Sequence, residues 1–114
     1  MTRDETVGVL RAQAARFDDL KVKGKATAYL AINGNMFAFV DPSGDFCLRI
    51  AEPDRAVFEA EGYDPAPVIR YGSVMRGYVT LPARLVADRD GIARWFDRSL
   101  AFARDLKPTR KAKG

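Results

Sequence analysis

Hydrophobic positions first recur at helical spacing: Val7, Leu10, Ala14 and Phe17 share one face, while Arg11, Arg16 and Asp18 look outward. Thr2 followed by Glu5 has the spacing of a capping box, so a helix is expected to begin at about Arg3 and end near Asp19. Between residues 26 and 40 the pattern changes. Two apolar runs flank Asn33-Gly34, a pair that accepts the positive φ of a type I′ turn, and together they read as a β-hairpin. A tight turn there pairs Ala31 with Met36, Leu30 with Phe37, Tyr29 with Ala38 and Ala28 with Phe39. Strict alternation then places Ala28, Leu30, Phe37 and Phe39 on one face. Tyr29, Ala31, Met36, Ala38 and Val40 occupy the other. Both faces are apolar, so both are expected to be covered.

Asp41-Pro42-Ser43-Gly44 reads as a second turn, with Pro42 preset for its second position. Beyond it Phe46, Leu48 and Ile50 alternate with Cys47 and Arg49, the signature of a half-buried strand. Pro53 suits the first turn of a helix, where its missing N–H would be unpaired anyway. Ala56, Val57 and Ala60 give that helix an apolar stripe, with Phe58 partly shielded beside it and Gly62 as the stop. Residues 68–71 and 74–81 read as two more strands around a Gly72-Ser73 turn. Asp88 caps a long last helix whose apolar face carries Ile92, Trp95, Phe96, Leu100, Phe102, Ala103 and Leu106. The expected order is α-β-β-β-α-β-β-α. This is an α+β domain, mainly an antiparallel sheet with helices packed on one face.

A length of 114 residues suits one domain, which the pattern bounds at residues 1–106, followed by a basic tail at residues 107–114. The formal net charge of +4 looks like a polyanion-binding signal until it is located. Lys107, Arg110, Lys111 and Lys113 supply all of it, and the residues before them hold 15 cations and 15 anions. The folded body is thus electrically balanced, a poor source of the clustered field that gathers nucleic acid. Pro108 and the small polar residues after it extend no helix, so the tail is expected to be mobile. No apolar h-region follows Met1 and no run is long enough for a membrane helix. Cys47 is the only cysteine, which forbids an intrachain disulfide. A cytoplasmic protein without a membrane partner is the resulting expectation.

Histidine is absent from the chain, which removes imidazole acid–base catalysis, His-activated nucleophiles and every His-containing metal site. A single cysteine cannot build a thiolate zinc site. Cys47 has no histidine to lower its pKa and is expected to be covered and inert. Glu59 and Glu61, two apart on a helix, do not face each other. Gly24, Gly34 and Gly44 stand at turn positions and belong to no phosphate-cradling string. Neither a catalytic centre nor a cofactor is expected.

What remains are surfaces. Trp95 is expected in the core, but Tyr29, Met36 and Val40 lie on the sheet face the helices leave open, and are the candidates for self-association. A homodimer follows as the expected partner arrangement, beside a protein partner of unknown identity. Arg70, Tyr71, Arg76 and Tyr78 mix cations with aromatics near the last hairpin, a mixture that stacks bases or simply packs across strands. Lys107, Arg110, Lys111 and Lys113 are the candidate nucleic-acid contacts, and on a mobile tail their binding would be weak and read no sequence.

Several strings resemble the N-terminal domain of the TfoX (Sxy) competence regulators. They are Ile32-Asn33-Gly34-Asn35-Met36-Phe37-Ala38-Phe39-Val40, Phe46-Cys47-Leu48-Arg49-Ile50 and Met75-Arg76-Gly77-Tyr78-Val79-Thr80-Leu81-Pro82. Residues 55–63 are similar to the family's short helix, and Trp95 with Ser99-Leu100-Ala101-Phe102-Ala103 to its closing helix. Where family members often carry Met-Phe-Gly-Gly before the first strand, this chain has Val22-Lys23-Gly24-Lys25-Ala26. The resemblance implies a fold grouped with the YjbR-like and secretion-chaperone-like domains, used for association rather than chemistry. Full-length regulators of this type carry a second, C-terminal domain, so competence regulation itself does not carry over. The functional expectation is a non-enzymatic protein-interaction or regulatory module. Weak nucleic-acid association through the basic tail is the alternative.

Overall fold

The computed structural model describes residues 1–108. Helix α1 spans Arg3–Ala14 and opens with the capping box its sequence prescribes. Thr2 Oγ1 accepts from the Glu5 N–H at 3.1 Å, and Glu5 Oε1 accepts from the Thr2 N–H at 2.7 Å. The helix closes earlier than its pattern suggests, at Ala14 rather than near Asp19. Phe17 keeps its apolar role from the following turn by stacking on Phe96, ring centroids 6.2 Å apart.

Five strands follow in one antiparallel sheet: β1 Ala28–Ile32, β2 Asn35–Val40, β3 Phe46–Arg49, β4 Pro67–Arg70 and β5 Ser73–Leu81. Their spatial order is β1-β2-β3-β5-β4, so β1 and β4 are the two edges. Helix α2, Glu52–Ala60, connects β3 to β4. After β5 come α3, Ala83–Val86, and the long α4, Arg89–Asp105, capped by the Asp88 carboxylate on the Gly91 N–H. The short α3 has no counterpart in the sequence pattern; otherwise the element order is the expected one. Its Leu85 and Val86 are both buried.

The hairpin turn is as expected: Asn33 and Gly34 have φ of 54° and 80°. The register beyond it is not. Ala31 faces Met36, but Leu30 then faces Ala38, Tyr29 faces Phe39 and Ala28 faces Val40. One extra residue is accommodated on β2, so Phe37 and Ala38 both turn toward the helices and the alternation inverts from there. Phe39, expected on the helix side, joins the opposite cluster, and Val40, expected opposite, is buried in the helix-side core. The bulge explains why strict alternation fails: two successive residues of β2, Phe37 and Ala38, are both buried in the helix-side core.

The second hairpin also shifts by one residue. Tyr71 and Gly72 carry the positive φ values, 53° and 75°, and Ser73 already belongs to β5. In α2 only Phe58 is fully buried, while Ala56 and Ala60, expected on an apolar stripe, are exposed. A nine-residue helix lying across the end of the sheet needs a single anchor. Phe58 provides it by meeting Trp95 edge-on at 5.1 Å.

The main core lies between the sheet and the helices. Leu10, Leu30, Phe37, Leu48, Phe58 and Trp95 are among its fully buried members. The Trp95 indole N–H donates to Glu61 Oε1 at 3.0 Å, and Arg94 grips the same carboxylate at 2.7 and 2.8 Å. All helices share this side of the sheet. A second, smaller cluster occupies the other face: Phe39, Cys47, Val68 and Tyr78, with Tyr29, Met36 and Met75 packed around it.

Candidate functional site

The open face of the sheet is built from alternate residues of all five strands. Because the sheet curls, its two edges approach across this face. Arg70, at the end of β4, reaches Thr27 just before β1, with Nη2 3.4 Å from Thr27 Oγ1. Between them lies a groove of about 370 Å³ lined by Thr27, Tyr29, Met36, Phe39, Arg70, Tyr71 and Met75. Its floor is aromatic and thioether; its one charged wall is Arg70.

The guanidinium places its carbon 5.4 Å from the centroid of Phe39 and 5.2 Å from that of Tyr71, both cation–π distances. Its polar contacts are the long ones from Nη2, to Thr27 and to the Tyr71 hydroxyl at 3.5 Å. Among the described residues four arginines form ion pairs, Arg16, Arg94, Arg98 and Arg104, and Arg70 is not one of them. Asp41 feels its charge, but that carboxylate is engaged by Ser43 and by the Asp45 N–H.

Deeper in the same face, the Tyr78 hydroxyl crosses β3 and donates to the Met36 carbonyl at 2.6 Å. Burial pushes its phenol up to about 12. Cys47 lies beside it, its Sγ 3.8 Å from Thr80 Oγ1, and burial raises its thiol to about 12 as well. At neutral pH that sulfur is a protonated, covered side chain and a poor nucleophile.

Tyr29 and Met36, the half-buried pair proposed from the pattern, do share this face. They also border a second depression of about 650 Å³, whose rim carries Asp18, Asp19, Lys21 and Lys23. There Asp19 is tied to Arg104, which holds its carboxyl below the usual range. Val40 is absent from both, since the bulge turns it into the helix-side core. The cation–aromatic set of the last hairpin divides. Arg70 and Tyr71 join the groove, Tyr78 is buried with its hydroxyl engaged, and Arg76 is exposed beside a separate shallow depression with Glu52 and Arg55.

Of the candidate tail contacts, Lys107 is exposed, and its carbonyl accepts from Asn35 Nδ2 at 3.2 Å. Arg110, Lys111 and Lys113 lie outside the described residues. Two surface features were not foreseen. One is the groove itself, because Thr27, Phe39 and Met75 come together only through the bulge and the curl. The other is the exposed apolar pair Ile69 and Val74, which face each other across β4 and β5 at 62% and 57% exposure. With Tyr71 at 93%, three of the four large exposed hydrophobics among the described residues sit on one hairpin. Part of that signal was legible: a turn at Tyr71-Gly72 and strict alternation put Ile69 and Val74 opposite each other on one side, with Arg76 next along it.

Among the described residues no helix is long and apolar enough to cross a membrane, and no group of three or more His, Cys, Asp or Glu is placed to hold a metal ion. The family model for the TfoX N-terminal domain matches residues 12–103. No curated protein matches the chain.

Proposed function

This chain belongs to the TfoX N-terminal domain family, and from that premise we propose that it is a protein-association module without chemistry of its own, pairing with a second copy of itself. The observation that carries this reading is the β4–β5 hairpin. β4 is a short edge strand whose outer N–H and C=O groups have no partner strand, and Ile69 and Val74 add an exposed apolar pair to it. An antiparallel match of β4 with β4 of a second copy satisfies the edge and joins the two Ile69–Val74 pairs into one apolar strip across a two-fold axis, with the two Ile69 side chains nearest each other. A body with equal numbers of cations and anions opposes that approach with no net repulsion. Tyr29 and Met36 are half-buried on the open face, so this reading moves the contact from them to the more exposed Ile69 and Val74.

The absence of catalysis is supported by composition and by Cys47. Without histidine, and with its sole thiol buried and shifted upward, the chain offers no group poised for proton transfer or nucleophilic attack near neutrality. Sedimentation equilibrium tests the pairing. The wild-type chain is expected to dimerise at micromolar concentration, and the Ile69→Lys/Val74→Lys variant to remain a folded monomer. A wild-type monomer at high concentration, or a dimer indifferent to both substitutions, refutes the reading.

A further inference from the structure

We infer that the groove beneath Arg70 is a binding site for a small monocarboxylate with an apolar, ring-sized body. The argument begins with the guanidinium. An arginine is charged at every physiological pH, and a half-buried one normally meets a carboxylate or several good acceptors. Arg70 meets neither. Its guanidinium carbon lies at cation–π distance from Phe39 and Tyr71, contacts that satisfy none of its N–H donors. Nη2 has the two long contacts to hydroxyls, and Nε and Nη1 donate no hydrogen bond within the described residues.

Nη2 forms a fork with Nε on one edge and with Nη1 on the other, and either edge matches a carboxylate bidentately once the long Nη2 contacts to the two hydroxyls yield. Phe39, fully buried beneath the guanidinium carbon, limits the positions Arg70 can take, which lowers the rotamer freedom lost on binding. The rest of the groove has the opposite character. Tyr29, Phe39, Met36 and Met75 present aromatic and polarizable surface, and the methionines adapt to the outline of a ligand. A volume of about 370 Å³ is at the low end for ligand sites, suited to a body of one ring and a short linker. One cation at the wall of an otherwise apolar groove selects a molecule with one anion at the end of an apolar body.

This inference does not rest on self-association. Ile69 precedes Arg70 in β4, so its side chain lies on the opposite face of the strand. The site is therefore tested equally well in the monomeric Ile69→Lys/Val74→Lys variant.

The chain carries three methionines, and two of them line the groove, which makes the methyl spectrum a built-in reporter with Met1 as the internal control. The probes are 3-phenylpropionate, 3-phenylpropan-1-ol and 3-phenylpropylamine, titrated into methionine-methyl-labelled full-length protein. The acid is expected to shift Met36 and Met75 saturably and leave Met1 in place. The alcohol is expected to bind at least about tenfold more weakly, the value of a charge-assisted bond, and the amine not at all. Arg70→Gln is expected to erase the preference for the acid, while Arg76→Gln, which removes a nearby exposed cation, preserves it. No saturable shift at millimolar acid overturns the proposal. So does equal binding of acid and alcohol, or equal loss in both arginine variants, which would assign the effect to the general field rather than the groove.

Discussion

One sheet here serves two environments. Its helix-covered face is apolar and closed: Trp95, Phe96, Phe37 and Phe58 are fully buried, and the buried polar groups among them do not ionise. Ser99 is the main one, donating from α4 to the Arg49 carbonyl of β3. The open face has no second layer of helices. It covers itself with its own long side chains, and in doing so buries two ionisable groups, Cys47 and Tyr78, and stretches Arg70 over the rings. The first face is held by packing volume and the second by a few specific polar contacts. They are therefore expected to fail under different insults.

The largest effect should come from the packed side. Trp95→Ala removes an indole that is completely buried, edge-on to Phe58 and bonded to Glu61. A loss of about 3–5 kcal/mol is expected from denaturant unfolding, enough to consume much of a small domain's stability. Tyr71→Ala, an equally aromatic truncation at 93% exposure on the open side, should stay within ~0.5 kcal/mol. Comparable losses at the two positions would mean that the open face is covered in solution.

Alkali should reverse that ranking. The folded-state pKa of Cys47 is raised from 9.0 to about 12, and that of Tyr78 from 10.0 to about 12. Each group binds its proton more tightly folded than unfolded, so its contribution is complete below the unfolded value and is lost as pH rises toward 12. The slope is about 1.4 kcal/mol per pH unit per group while the two states differ. Melting temperature should therefore be flat near neutrality and fall steeply above about pH 9. Cys47→Ala should delay the fall by removing the earlier of the two titrations. An alkaline limb identical in that variant would show that the thiol is not the group responsible.

The sequence disclosed the helix-covered face better than the open one, and the reason is local against non-local information. The capping box at Thr2 and Glu5, the Asn33-Gly34 turn and the Asp88 cap are short-range devices whose residues specify their own backbone geometry. The apolar face of α4 is periodic over four turns, which leaves little choice about which side is buried. The open face depends on a single extra residue in β2. Alternation is a period-two signal, so one bulge exchanges Phe39 and Val40, and nothing in Met36-Phe37-Ala38-Phe39-Val40 marks where it falls. The approach of Arg70 to Thr27 is further out of reach, since it depends on the curl of the whole sheet. The mixture of Arg70 with Tyr71 was visible in the sequence, and the structure places both on the groove.

The smallest effect is expected from the tail, and it separates the cations of the body from those after it. On the helix side four arginines are held by acids, Arg16 by Asp97, Arg94 by Glu61, Arg98 by Asp54 and Arg104 by Asp19, and Arg3, Arg55 and Arg84 by backbone carbonyls. On the open side Arg70 stands alone beside rings. The body's charges sum to zero, so the expectation is that any affinity for nucleic acid comes from Lys107, Arg110, Lys111 and Lys113. A chain ending at Leu106 should unfold within ~0.5 kcal/mol of the intact one, because among the described residues it removes, Lys107 and Pro108 are exposed and the Lys107 carbonyl accepts from Asn35 at the surface. Four contacts to phosphate would give the intact chain a salt slope of roughly −3 to −4 in log affinity against log salt, and weak, sequence-independent binding at physiological salt. Titration of both chains with duplex and single-stranded DNA at low and moderate salt should find that binding only in the intact one. Binding retained by the shortened chain, or a strong preference for one sequence, would place the contact on the body. Arg70 with its flanking rings would then be reading a base where we have assigned a carboxylate, and Arg70→Gln would have to abolish DNA binding as well as the preference for the acid.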